Sequence, residues 1–136
     1  MTIPPKLQTI IEDFGYCQGQ EKLEYLLEFS QTLPPLPEWL EDKRDDMDQV
    51  HECMSPVFIY AQTENNIVTF HFDIPAEAPT VRGFASLLSE GLNGSTIEEI
   101  QAVPLDIYRP MGLHKVITGQ RLNGLSAVIA HMKALL

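Results

Sequence analysis

Val57-Phe58-Ile59-Tyr60-Ala61-Gln62-Thr63-Glu64-Asn65-Asn66-Ile67-Val68-Thr69-Phe70-His71-Phe72-Asp73-Ile74 decides the fold class. In its second half Val68, Phe70, Phe72 and Ile74 alternate with Thr69, His71 and Asp73. That period of two describes an antiparallel strand with one buried and one wet face. Residues 57–62 read as a partner strand, and 63–66 as the hairpin turn, because asparagine tolerates the left-handed backbone a tight turn needs. An isolated hairpin is marginal in water, so a third strand is expected around 48–51.

Helical patterns lie on both sides of this hairpin. Pro4 and Pro5 suit a helix start, and Leu7, Ile10, Ile11 and Phe14 follow on one stripe. Residues 21–33 read as a second helix, with Leu23, Leu26, Leu27 and Ser30 on its apolar stripe, Tyr25 and Phe29 widening it, and Pro34, Pro35 and Pro37 beyond it. Two helices joined so closely are expected to pack antiparallel on each other. After the hairpin, Thr80 is placed to cap a helix carrying Val81, Phe84, Ala85 and Leu88, which stops at Asn93-Gly94. Residues 95–98 match a capping box before a short helix ended by Pro104, and 105–117 read as turns and short helix. Leu122, Leu125, Ile129, Met132 and Leu136 stripe a terminal helix. Helices, a small antiparallel sheet of about three strands, then helices again is an α+β pattern, expected as a single domain over 1–136.

The totals narrow the function. A chain of 136 residues supports one core, burying roughly 65–70% of its unfolded surface. A net charge of −10 argues against nucleic-acid binding, which needs a basic stripe, and favours a basic partner surface. The start lacks a basic segment followed by an apolar one, and no apolar run is long enough for a membrane span, so a cytoplasmic protein is expected. In that reducing setting Cys17 and Cys53 are expected as free thiols.

Cys53 is the more informative of the two. It ends a charged stretch and precedes a strand, and Pro56 prevents that strand from running back through it. Residues 38–52 hold seven acidic residues against Lys43 and Arg44, so half of the net charge lies directly before the thiol. Such a stretch reads first as a solvated loop. It also disfavours a thiolate, so Cys53 is expected to act only on meeting a basic partner rather than as a self-sufficient nucleophile. His51-x-Cys53 is too few ligands for zinc, and no ligand spacing joins Cys17, His71, His114 or His131, so no metal is expected. No phosphate loop, nucleophile elbow or HExxH helix is present, and no cofactor is expected. Arg82 and Arg121 stand near helix N-termini, where charge preference favours acids, so each is a candidate for another task.

Four stretches together resemble the SufE/CsdE family of sulfur acceptors. They are Cys53-Met54-Ser55-Pro56-Val57-Phe58, Leu33-Pro34-Pro35-Leu36-Pro37, Thr80-Val81-Arg82-Gly83-Phe84, and Gly112-Leu113 with Arg121-Leu122-Asn123-Gly124-Leu125. Their order and separations match across nearly the whole chain. The chain departs from the family pattern at Glu52, where glycine is usual, and at Pro56 and Phe58. Glutamate in a left-handed turn at that position would cost about 1–2 kcal/mol.

The resemblance implies a fold like SufE and the U-type scaffolds, no cofactor, and Cys53 as the residue that takes sulfur as a persulfide. It implies a pyridoxal-phosphate-dependent cysteine desulfurase of the SufS/CsdA kind as donor, stimulated by this protein, and an iron–sulfur scaffold complex downstream. His51, Glu52, Ser55, Arg82 and Arg121 become candidates for partner binding or loop stabilisation, in a monomer or weak homodimer. Two alternatives stand beside the carrier: a desulfurase-binding regulator that has lost transfer, motivated by Glu52, and an iron–sulfur scaffold.

Overall fold

The computed structural model describes residues 3–136. Four strands form one antiparallel sheet in the order β1-β2-β3-β4: β1 (Asp48–Gln49), β2 (Phe58–Glu64), β3 (Ile67–Asp73) and β4 (Ser95–Thr96). The β2–β3 hairpin turns on Asn65 and Asn66, whose φ values of 52° and 68° are the left-handed pair a two-residue turn requires. Val68, Phe70, Phe72 and Ile74 are buried, as their alternation predicts. The expected third strand is β1. The sheet has four strands rather than three because Ser95 and Thr96 pair with Val68 and Ile67. Two residues are too few to show a period of two. The capping box also sits one residue later than expected, between Thr96 and Glu99.

The helices are α1 (Pro5–Tyr16), α2 (Gln20–Ser30), α3 (Glu38–Glu41), α4 (Pro79–Leu92), α5 (Ile97–Gln101) and α6 (Gly119–Ala134). No helix among the described residues is long and apolar enough to cross a membrane. α4 is the hub, buried along most of its length, with α1, α2, α6 and the sheet all packed against it. The antiparallel pairing of α1 with α2 is therefore not formed along their lengths. They meet through the rings of Phe14, Tyr25 and Phe29, with Phe14 and Tyr25 centroids 4.5 Å apart.

The buried stripe of α2 keeps the expected Leu26, Phe29 and Ser30 but takes in Lys22 and leaves Leu27 exposed. Lys22 is the cause. Its ammonium donates to the carbonyls of Phe14, at 2.5 Å, and Met111, at 3.0 Å, satisfying the end of α1 and a distant loop at once. Thr80 does not cap α4, which starts at Pro79 after Ala78.

α2 and α4 come together at Gly83. A Cβ there would overlap the Leu26 carbonyl oxygen, a backbone atom that cannot move aside. Gly83→Ala is therefore expected to cost about 2 kcal/mol despite alanine's better helix propensity, read as a lower urea midpoint at unchanged slope.

The acidic stretch is not a free loop. α3 and a 3-10 turn at Arg44–Asp46 lay it across the outer face of the sheet. Trp39 meets Tyr60 and His71 edge-on, each at 5.6 Å between centroids. Arg44 pairs with Asp73 and lies 4.7 Å over the Phe58 ring. Leu40 and Met47 are buried beneath it, while Glu38, Glu41, Asp42, Asp45 and Asp46 point to solvent. Trp39 thus covers part of the face on which His71 was expected to be wet, and burial lowers the His71 pKa.

Candidate functional site

Cys53 lies at the tip of the loop joining β1 to β2. Val50 N–H donates to Val57 O at 2.9 Å and closes the base of this loop, and Cys53 N–H turns back to Val50 O at 3.3 Å. Both anchoring valines are fully buried, so a rigid base carries a short polar tip. β2 starts at Phe58, after Pro56, because proline supplies no N–H to the ladder.

Three consecutive loop residues reach α6. Glu52 Oε1 lies 3.0 Å from His131 Nε2. The Cys53 thiol points at Gly124 O, 3.7 Å away. Gln120 Nε2 donates to Met54 Sδ at 3.3 Å. The partners fall at 131, 124 and 120, so the loop runs against the direction of α6 and its bonds spread over three turns of helix. Met54 is otherwise exposed and presents an apolar side chain at the tip.

The left-handed strain expected at Glu52 is absent. Asn65 and Asn66 are the non-glycine residues with positive φ among the described residues, so glutamate fits this loop without backbone cost. Its carboxylate has a partner instead. His131 also lies 2.5 Å, through Nδ1, from Asp48 Oδ2 on β1. The Glu52 carboxyl is held below the usual range by a backbone hydrogen bond and by His131, with His51 adding a smaller effect of the same sign.

Cys53 is half-buried and free, as is Cys17. Burial, and secondarily the Glu52 charge, push its thiol up to about 11. Arg82 donates to Ser30 O at 2.8 Å and to Ile74 O, tying α2 and the end of β3 to α4, and it does not line the cavity beside Cys53. Its expected service to the loop or thiolate is thereby replaced by a structural tie. Arg121 does line that cavity, with Nη1 3.5 Å from Thr80 Oγ1.

The cavity is about 350 Å³ and open to solvent, with Cys53, Ser55, Glu77, Gln120, Arg121 and Gly124 among its walls. Of the residues singled out from sequence, Cys53, Glu52, Ser55 and Arg121 gather there, while His51 is an exposed neighbour of the loop. Sequence reasoning weighed His131 only as a metal ligand and quoted Gly124 only within a longer stretch, and tied neither to the Cys53 loop. His131 lies beside the apolar stripe, one residue before Met132, with its partners Asp48 and Glu52 about eighty residues away in the chain, and Gly124 looks like an ordinary helix glycine. No three His, Cys, Asp or Glu side chains among the described residues are grouped to hold a metal. Asp48 and Glu52 lie on opposite nitrogens of one ring and cannot converge on an ion.

Gly124 sets the room left for the sulfur. A Cβ there would stand 3.3 Å from Cys53 Sγ, tighter than an ordinary contact, with a loop that can give. Gly124→Ala should change global stability little, since helix propensity improves. It should displace the thiol toward the cavity and raise its alkylation rate about fivefold, the equivalent of one weak hydrogen bond. Iodoacetamide kinetics beside a urea titration would show both.

Residues 8–136 match the SufE family, described as the Fe-S metabolism associated domain. An uncharacterised SufE-like protein of Mycobacterium tuberculosis is 44% identical over 133 residues, covering 97% of this chain and 92% of that one. A SufE-like protein of Synechocystis is 32% identical, covering 97% of this chain and 80% of that one. The solution structure of a hypothetical protein from Thermus thermophilus superposes with a TM-score of 0.85 at 38% identity, covering 98% of this chain and 95% of that one. A family match over nearly the whole length, together with an α+β fold shared at this identity, places this chain in the SufE family of iron–sulfur metabolism.

Proposed function

We propose that this protein is a persulfide acceptor that stimulates a cysteine desulfurase and passes the sulfur on to iron–sulfur cluster assembly. The observation that carries the reading is the place of Cys53: a free thiol at the tip of a short loop, half-buried on α6, with an open cavity beside the sulfur. In the transfer the Cys53 thiolate attacks the outer sulfur of the donor's cysteine persulfide. The bond between the donor's two sulfurs breaks, the donor cysteine leaves as thiolate, and Cys53 becomes the persulfide. The proton of the Cys53 thiol must leave first, and the burial that holds it high must be relieved on docking. The acidic residues over 38–46 that face solvent present a complementary surface to a basic partner and steer the encounter.

A chain incubated with a pyridoxal-phosphate-dependent desulfurase and cysteine should gain the mass of one sulfur atom on the peptide bearing Cys53, and desulfurase turnover should rise. No sulfur on Cys53 would sink the carrier reading. The strongly protonated thiol favours a second reading, a desulfurase-docking regulator without transfer, in which turnover changes and the peptide stays unmodified.

A further inference from the structure

The contacts of His131 go beyond packing. Asp48 Oδ2 stands 2.5 Å from Nδ1 and Glu52 Oε1 stands 3.0 Å from Nε2. Ionised carboxylates only accept hydrogen bonds, so both bonds are made together only when both ring nitrogens carry protons. The closed loop therefore selects the imidazolium. Asp48 comes from β1, in the rigid base of the loop, whereas Glu52 belongs to the tip and precedes Cys53. A neutral imidazole has one N–H to donate. Asp48, at the shorter distance and less exposed than Glu52, keeps it, and Glu52 is let go.

We propose that His131 is a positioning residue for Cys53, the proton-dependent catch that holds the loop tip, and with it the thiol, closed on α6. The charged groups bearing on it are Asp48 and Glu52, and His51 acts on Glu52 from beside the tip. Burial lowers the His131 pKa, and the hydrogen bonds to the two carboxylates more than reverse this, leaving it raised. Closure is thus complete below the ordinary histidine pKa and weakens as pH rises through the raised value. The place of His131 near the C-terminal end of α6 favours the same charged form. None of this depends on the sulfur-acceptor reading, because the contacts are internal to the chain.

The test is the pH profile of Cys53 alkylation by uncharged iodoacetamide, in a Cys17→Ser background so that one thiol reports. A thiol well below its pKa reacts about tenfold faster per pH unit. With a proton-linked catch, the rate climbs more steeply than that over the window above about pH 6.5, because opening also releases a proton from His131. His131→Gln and Glu52→Gln should both restore the simple slope. Near the bottom of the window both should react about fivefold faster, the scale of one partly exposed charge-assisted hydrogen bond. Glu52 is exposed, so its variant keeps the test decisive if His131→Gln folds poorly. A wild-type slope no steeper than that of Glu52→Gln overturns the proposal. So does a variant that reacts faster with the steep slope intact, which would make the contact mere packing.

Discussion

Cys53→Ser is expected to abolish sulfur uptake by this chain completely while leaving its affinity for a desulfurase within about twofold, the usual scale for a near-isosteric change. The hydroxyl is almost the size of the thiol and still donates toward Gly124 O, where the thiol now points. The loop base at Val50 and Val57 and the acidic face over 38–46 are untouched. Serine nevertheless has no accessible anion, and an alcohol does not take the outer sulfur of a persulfide. Docking and transfer are thus separable in one substitution. Mass spectrometry of the Cys53 peptide, desulfurase turnover and a binding isotherm distinguish the outcomes. A carrier loses sulfur and stimulation but still binds. If Cys53→Ser stimulates as well as wild type, the docking-regulator reading is correct.

The second large effect concerns the thiol itself. With its pKa pushed up to about 11, roughly one molecule in ten thousand carries the thiolate at neutral pH, against a few in a hundred for an ordinary cysteine. Native Cys53 should therefore react with iodoacetamide at least about tenfold more slowly than the same cysteine in urea-unfolded chain at the same pH, a gap set by thiolate fraction and access and narrowed by the greater nucleophilicity of a high-pKa thiolate. The linkage has a definite sign. The folded state holds the proton more tightly than the unfolded one, so its full stability is present below the ordinary thiol pKa. Stability then falls as pH rises from there toward about 11. Half-burial leaves part of this field screened by solvent, so the slope should be shallow. Urea midpoints across the alkaline range would follow it, and Cys53→Ser should flatten the curve. Equal alkylation rates for native and unfolded chain would show that the loop does not shield the sulfur.

Much of this was legible in the chain. Alternation over 67–74 announces a half-buried strand because a strand's two faces differ, and the asparagine pair announces its turn. The stripes of α1 and α6 are legible for the same reason at helical period. Cys53 stands out through local features: Pro56 ends the strand behind it and the acidic run stops in front of it. Elements too short to show a period were missed or misplaced, as β4 and the capping box at Thr96 were. The stripe of α2 was misjudged because hydropathy sends lysine outward, whereas two distant carbonyls make burying Lys22 worthwhile.

Sequence by itself determined the α+β class, the hairpin, the free thiol on a loop and the acidic stretch before it, because each depends on residues that are neighbours in the chain. Tertiary structure alone decided how the thiol is held. Glu52 looked like a backbone liability and is instead one end of a bond to His131, 79 residues away. The space around the sulfur is set by Gly124, 71 residues away. Arg82 looked like a cation for the site and is spent on the carbonyls of Ser30 in α2 and Ile74 just past β3. The physical reason is common to all three. A side chain's role is fixed by the partners that packing brings within hydrogen-bond reach, and here those partners lie 8 to 79 residues away in the chain.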